Sequence, residues 1–209
     1  MKKILDKLLN NIKFDKRYVM FSFIIIILGI ITGSLFLVIL KNSDKALVVE
    51  YIESFIDNIK NNNIDYTDLL KNTIIINYIV ILAISIIGFT YFLFPINILI
   101  LYYKSFIIGF SLGSFILTYK IKGILLSVIY IFPHLIINIL LFAILTAFTL
   151  KVSINMINHI IKRKDVNMSL YFSKYIRIAL IFIFLITLTS IYESIISSNL
   201  LKLIINFIF

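Results

Sequence analysis

The chain has no cysteine, two histidines, two prolines and little charge, with Asp, Glu, Lys and Arg making up 14% of its 209 residues. Without cysteine there is no disulfide, no zinc cluster and no thiol chemistry, which leaves the compartment open. His134 and His159 have no carboxylate near them in sequence, and no HExxH, GxSxG or Walker-type loop occurs. Motif-based enzyme readings therefore have no footing. Intramembrane proteolysis would need a nucleophile–base pair or two buried acids, and Glu193 is the only acid inside an apolar run. The expectation is a protein that is not an enzyme and uses no metal or cofactor. Acids are scarce too, 10 against 20 basic residues, for a net charge of +10. The basic residues lie outside the apolar runs rather than in one patch, so the charge does not mark a nucleic-acid binder.

What the chain has is hydrocarbon. It is 61% hydrophobic with a mean hydropathy of +1.08, whereas soluble domains are about half apolar and a quarter charged. The pattern predicts an all-α polytopic membrane protein with five transmembrane helices, the central ones kinked or interrupted. Residues 1–17 carry Lys2, Lys3, Lys7, Lys13, Lys16 and Arg17 beside apolar residues at helical spacing. They read as a basic amphipathic segment on anionic membrane lipid, or as a solvated tail that only fixes topology. A first span covers 18–40, long enough for roughly 30 Å of hydrocarbon and without the short core and small-residue exit of a cleaved signal.

Residues 41–72 form the one sizeable polar loop before the second span. Leu47, Val48, Tyr51, Ile52, Phe55, Ile56 and Ile59 recur at helical spacing, while Glu50, Glu53 and Asp57 line another face. This predicts an amphipathic helix from Asp44 to Lys60 and a break at Asn61–Asn63. Asp65 or Thr67 would cap the helix that follows. The acid row reads either as a solvated face or as a metal or partner surface. Residues 73–103 are too long for one span, and Pro95 with Asn97 offers a turn, giving spans at 73–94 and 97–119. Lys104 then lies roughly 10 Å inside the third span, in reach of snorkelling to the surface. After a tight turn at Lys120–Gly123, the fourth span covers 124–150. Pro133 kinks it, and His134 and Asn138 share one face about halfway through the bilayer. They read as a gate in a polar pathway or as a hydrogen-bonded tie between helices. A basic loop at 151–174, a fifth span at 175–197 with Glu193 near its end, and an interfacial tail at 198–209 complete the chain.

Two small-residue ladders stand out. Ser105, Gly109 and Gly113 are four apart on one face of the third span, and Gly29 and Gly33 form a GxxxG pair in the first. Lipid gives helices little hydrophobic reason to associate, so such bare faces are where close packing gains its contacts; they also suit self-association into a homo-oligomer. The positive-inside rule puts the amino terminus in the cytoplasm and, after five spans, the carboxyl terminus outside. Lys104 then belongs to the inner leaflet and Glu193 to the outer one.

These residues resemble a family. The Leu28–Gly33 stretch is similar to the glycine pair in the first span of the stage II sporulation protein M family. The run Tyr103–Gly113, with Lys104 followed by Gly109–Phe110 and Gly113, resembles its central signature. Lys122–Gly123 leading to Phe132–Pro133 resembles its next element, in the same order and spacing. The chain departs from many members of the wider family at Leu135 and Asn138, where a glycine and a glutamate are common, so a role for that glutamate does not transfer. The resemblance implies a non-catalytic membrane scaffold of septal thinning and engulfment. It would sit in the bacterial cell membrane at the sporulation septum and anchor or recruit membrane-anchored cell-wall hydrolases, the D- and P-type sporulation proteins. On that reading Gly109 and Gly113, then Gly29 and Gly33, make the helix contacts, and Glu50, Glu53 and Asp57 face a partner. The alternative is a permease-like subunit with Lys104, Pro133, His134 and Asn138 lining a path.

Overall fold

The computed structural model describes residues 15–61, 66–90, 92–130, 132–161 and 168–192. They form six helices, with no strand among them: α1 Lys16–Ile39, α2 Asn42–Lys60, α3 Tyr66–Phe89, α4 Phe94–Tyr130, α5 Phe132–Ile161 and α6 Met168–Tyr192. All but α2 are long and apolar enough to cross a membrane. Most of the basic amino-terminal segment, Glu193 and the carboxyl-terminal tail lie outside the described residues.

Local chemistry accounts for the ends. Asp15 caps α1, its Oδ1 accepting from the Arg17 N–H at 3.2 Å, which satisfies an otherwise orphaned donor. At the other end the Lys45 ammonium donates to the Val38 carbonyl at 3.0 Å, placing a cation on the negative terminus of α1. Only Leu40 and Lys41 separate α1 from α2. α2 is amphipathic: Ile52, Ile56 and Ile59 are buried, and Phe55 meets Phe115 of α4 edge-on at 6.4 Å. α2 thus lies against the far end of α4, and that end of the bundle is called the α2 side below.

The breaks at the prolines fall earlier than expected. α3 ends at Phe89; beyond it Thr90 N–H donates to the Ile86 and Ile87 carbonyls, and Leu93 N–H donates to the Thr90 carbonyl. Pro95 is the second residue of α4, inside the first turn, where its missing N–H costs nothing. Asn97 is accordingly not a turn residue but a fully buried one within α4. Pro133 repeats the pattern: α4 ends at Tyr130, and Pro133 is the second residue of α5 rather than a kink within a span. α5 continues to Ile161 and α6 starts at Met168, so much of the expected basic loop is helical. Thr67 likewise lies inside α3.

α4 is two helical pieces joined at Lys120, whose φ of 52° and ψ of −123° match the first central position of a type II′ turn, normally a glycine position. The chain folds back so tightly that a Cβ on Gly123 would overlap the Phe115 carbonyl. α5 is the central helix, with 61% of its apolar stretch buried against 22–33% in the others. Its Leu145 packs in one core cluster with Ile81, Ile84, Leu101, Leu126 and Ile186, each at most 1% exposed.

Candidate functional site

Three features stand out, the first being the contact between α1 and α4. The buried residues of α1 are Ser22, Ile26, Gly29, Gly33 and Leu37, one narrow stripe at spacings of three and four. The stripe lies on the α4 ladder, so the two small-residue faces pack on each other. A Cβ on Gly29 would stand 2.5 Å from that of Ser105, and one on Gly33 would overlap the Phe106 carbonyl. From the other side, Gly109 faces the Ile30 carbonyl and Gly113 faces the Leu37 side chain, a Cβ there lying 2.5 Å from Leu37 Cδ1. Two polar bridges cross the seam: Ser34 Oγ donates to the Gly109 carbonyl at 3.0 Å, and the hydroxyls of Thr32 and Tyr102 lie 2.8 Å apart. Phe36 closes the edge against Phe106, ring centroids 5.6 Å apart. Ser34, Thr32 and Tyr102 were not singled out from the sequence, since single hydroxyls beside a GxxxG pair carry no pattern of their own.

The opposite side of the bundle is tied by polar side chains. Asn77 Nδ2 donates to Ser190 Oγ at 3.1 Å, Tyr78 and Thr187 share a hydrogen bond of 2.8 Å, and Thr189 donates to Asn138 Oδ1. Nearer the α3–α4 turn, Asn97 Nδ2 reaches the Ile84 carbonyl and Thr149 Oγ1, both at 3.2 Å. Ser153 donates to the Gly88 carbonyl at 2.8 Å and the Tyr175 hydroxyl to the Ser85 carbonyl at 2.5 Å. Gly88 allows this: a Cβ there would come within 2.7 Å of both Thr149 and the Tyr175 hydroxyl. On α5 the residues Asn138, Phe142, Thr146, Thr149 and Ser153 recur at four, four, three and four, a periodicity readable in the sequence once α5 is known to begin at Phe132. Polar groups at these depths must find partners within the protein.

The third feature is a cleft of about 240 Å³ between α3, α4 and α5, lined by Thr73, Asn77, Lys104, Asn138 and Phe142 together with isoleucines. Lys104 is half-buried, its ammonium 5.6 Å from the centre of the Phe142 ring, a cation–π arrangement. This corrects its expected depth. α4 begins at Phe94, so Lys104 is ten residues, about 15 Å, from the turn end. Thr73 is seven residues, about 10 Å, inside α3, and Asn138 six residues, about 9 Å, inside α5. The lysine therefore shares its cleft with the α2-side halves of α3 and α5. Asn138 is near the α2-side end of its span rather than halfway, because α5 starts at Phe132 and not at Ile124. The structure does not describe the side chains of Pro133 and His134.

On α2, Glu50, Glu53 and Asp57 are all exposed, and Glu53 and Asp57 lie within electrostatic reach of Tyr119 at the end of the first piece of α4. Leu47 and Tyr51, 64% and 70% exposed, form an apolar strip beside them. Among the described residues no group of three or more His, Cys, Asp or Glu can hold a metal ion.

Five apolar helices, four of them around a central α5, without strands among the described residues, define a polytopic all-α membrane protein. The chain belongs to the stage II sporulation protein M family, whose sequence model matches residues 22–198. That match makes it a sporulation-related membrane protein. No curated protein and no solved structure matches the chain.

Proposed function

We propose that the protein is a non-catalytic membrane scaffold of sporulation, which holds extracytoplasmic cell-wall hydrolases at the engulfing septum. The observation that carries this reading is α2. It is a helix anchored by three buried isoleucines and Phe55 on the end of α4, with its acid row and the Leu47–Tyr51 strip turned outward. Under the positive-inside rule the α2 side is extracytoplasmic, the compartment where wall hydrolases act. Family membership supports the sporulation context. The α1–α4 seam gives such a scaffold a rigid base, because its close approach leaves no room for sliding.

The test is a mild-detergent pull-down of tagged protein from cells entering sporulation. Wild type is compared with a triple variant of equal abundance, Glu50→Lys, Glu53→Lys and Asp57→Lys. Co-purification of wall hydrolases with wild type and their loss from the variant supports the scaffold. Recovery of an ATPase or another transport subunit in place of hydrolases supports the permease reading instead.

A further inference from the structure

The buried side-chain oxygens that find no hydrogen-bond partner among the described residues are Ser22 Oγ, Ser85 Oγ, Asn97 Oδ1 and Thr146 Oγ1. They belong to four different helices, and all stand at the level of Asn97. The Asn97 amide is oriented by the Ile84 carbonyl, which can only accept, so Nδ2 faces it and Oδ1 is the unmet end. Thr149 accepts from Asn97 Nδ2 and gives its own proton to the Thr146 carbonyl at 2.9 Å. That brings Thr146, 0% exposed like Asn97, into the same polar group. Ser85 follows Ile84 in α3. Ser22, 1% exposed, is placed by the seam. There α1 and α4 run parallel, Gly29 meeting Ser105 and Gly33 meeting Phe106 and Phe110. Two turns before Gly29, Ser22 is therefore opposite Ile98, beside Asn97. Polar atoms inside a membrane span have to be met within the protein.

Counting protons selects the ligand. Asn97 Oδ1 can only accept, whereas the hydroxyls of Ser22, Ser85 and Thr146 each have a proton to give. A cation would satisfy the oxygens and leave the hydroxyl protons unmet. An anion would take those protons and leave Asn97 Oδ1 unmet. Water does both. We propose that the protein binds a buried water at this level, which donates to Asn97 Oδ1 and accepts from the Thr146 hydroxyl. Ser22 on α1 and Ser85 on α3 are its further partners, within the two to four hydrogen bonds that a buried water makes. The cross-helix hydrogen bonds of α1 among the described residues, from Thr32 and Ser34, reach α4 alone. The water is what ties the first half of α1 to α3 and α5. The inference goes beyond the scaffold reading and stands whether or not a hydrolase binds α2.

The experiment is nuclear magnetic resonance of the full, isotope-labelled chain in perdeuterated detergent micelles. Wild type shows a cross-peak between the Asn97 side-chain amide protons and water. In the rotating frame its sign is opposite to the diagonal, which marks a bound water and not proton exchange. Thr146→Val keeps the shape and removes the hydroxyl. The cross-peak weakens, and the unfolding constant in a detergent–SDS titration rises about threefold, the effect of one polar contact in lipid. Without a bound water the same substitution removes an unpaired hydroxyl and stabilises the protein. A wild-type spectrum without the cross-peak, or a Thr146→Val chain more stable than wild type, overturns the inference. If Thr146→Val does not accumulate, the wild-type spectrum decides alone. Loss of the cross-peak when sodium replaces choline, with a later unfolding midpoint, assigns the oxygens to a cation and overturns it too.

Discussion

The two halves of the bundle solve the same problem differently. Against α1 the chain removes side chains until backbones nearly touch, with Gly29, Gly33 and Gly109 facing carbonyls or Ser105 and Gly113 facing Leu37. Across α3, α5 and α6 it keeps side chains and joins them through Asn77, Asn97, Asn138, Thr149 and Ser153. The first contact gains dispersion over many atoms; the second gains a few directional bonds worth individually little, about 0.6 kcal/mol on average in lipid. A glycine seam therefore fails abruptly when one Cβ is added, whereas a polar network loses its members one at a time.

Substitutions sharpen that contrast. Gly33→Leu or Gly109→Leu drives a side chain into a backbone carbonyl that cannot move alone, and each costs more than about 3 kcal/mol. Loss of folded protein in a detergent–SDS titration is the expected readout. Gly88→Ala meets Thr149 and the Tyr175 hydroxyl, which can shift, and costs about 1–3 kcal/mol in the same titration. Lys120→Gly has the opposite sign: it relieves a lysine held at φ 52° and stabilises by about 1 kcal/mol, a later unfolding midpoint. Asn77→Leu and Ser190→Ala each cost about 1 kcal/mol, and a double-mutant cycle gives a coupling near 0.6 kcal/mol, with 1.7 as the ceiling. Smallest is Ser34→Ala, about 0.6 kcal/mol, since the glycine packing around it stays intact. If Ser34→Ala cost as much as Gly109→Leu, the seam would be held by its hydrogen bonds and the contrast would collapse.

Much of the fold was legible because lipid makes composition informative. The five spans, the amphipathic helix ending at Lys60 and both glycine ladders follow from periodicity and length. Their mutual pairing does not: nothing in Gly29 and Gly33 says that their partner is about 75 residues away and not a second copy of the chain. The two prolines were read as breaks at their own positions. Phe94–Pro95 and Phe132–Pro133 instead open helices, because proline excludes helix before it and favours it after. That shift of a few residues moved Asn97 from a turn into the core, and Asn138 from mid-membrane to near a helix end. Lys104 lies deeper in its helix for the same reason, since α4 begins at Phe94 and not at Asn97. The cleft was invisible in sequence since Thr73, Lys104 and Asn138 share no helix.

The bridge from Ser34 to Gly109 joins residues 75 positions apart, and this sets an order of events at the ribosome. At a synthesis rate of roughly 5–20 residues per second, α1 enters the bilayer roughly 4–15 s before the α4 surface that it matches has been made. For that interval its bare glycine stripe faces acyl chains or whatever insertion factor accompanies it. The membrane-insertion machinery thus handles a helix whose matching surface on α4 does not yet exist.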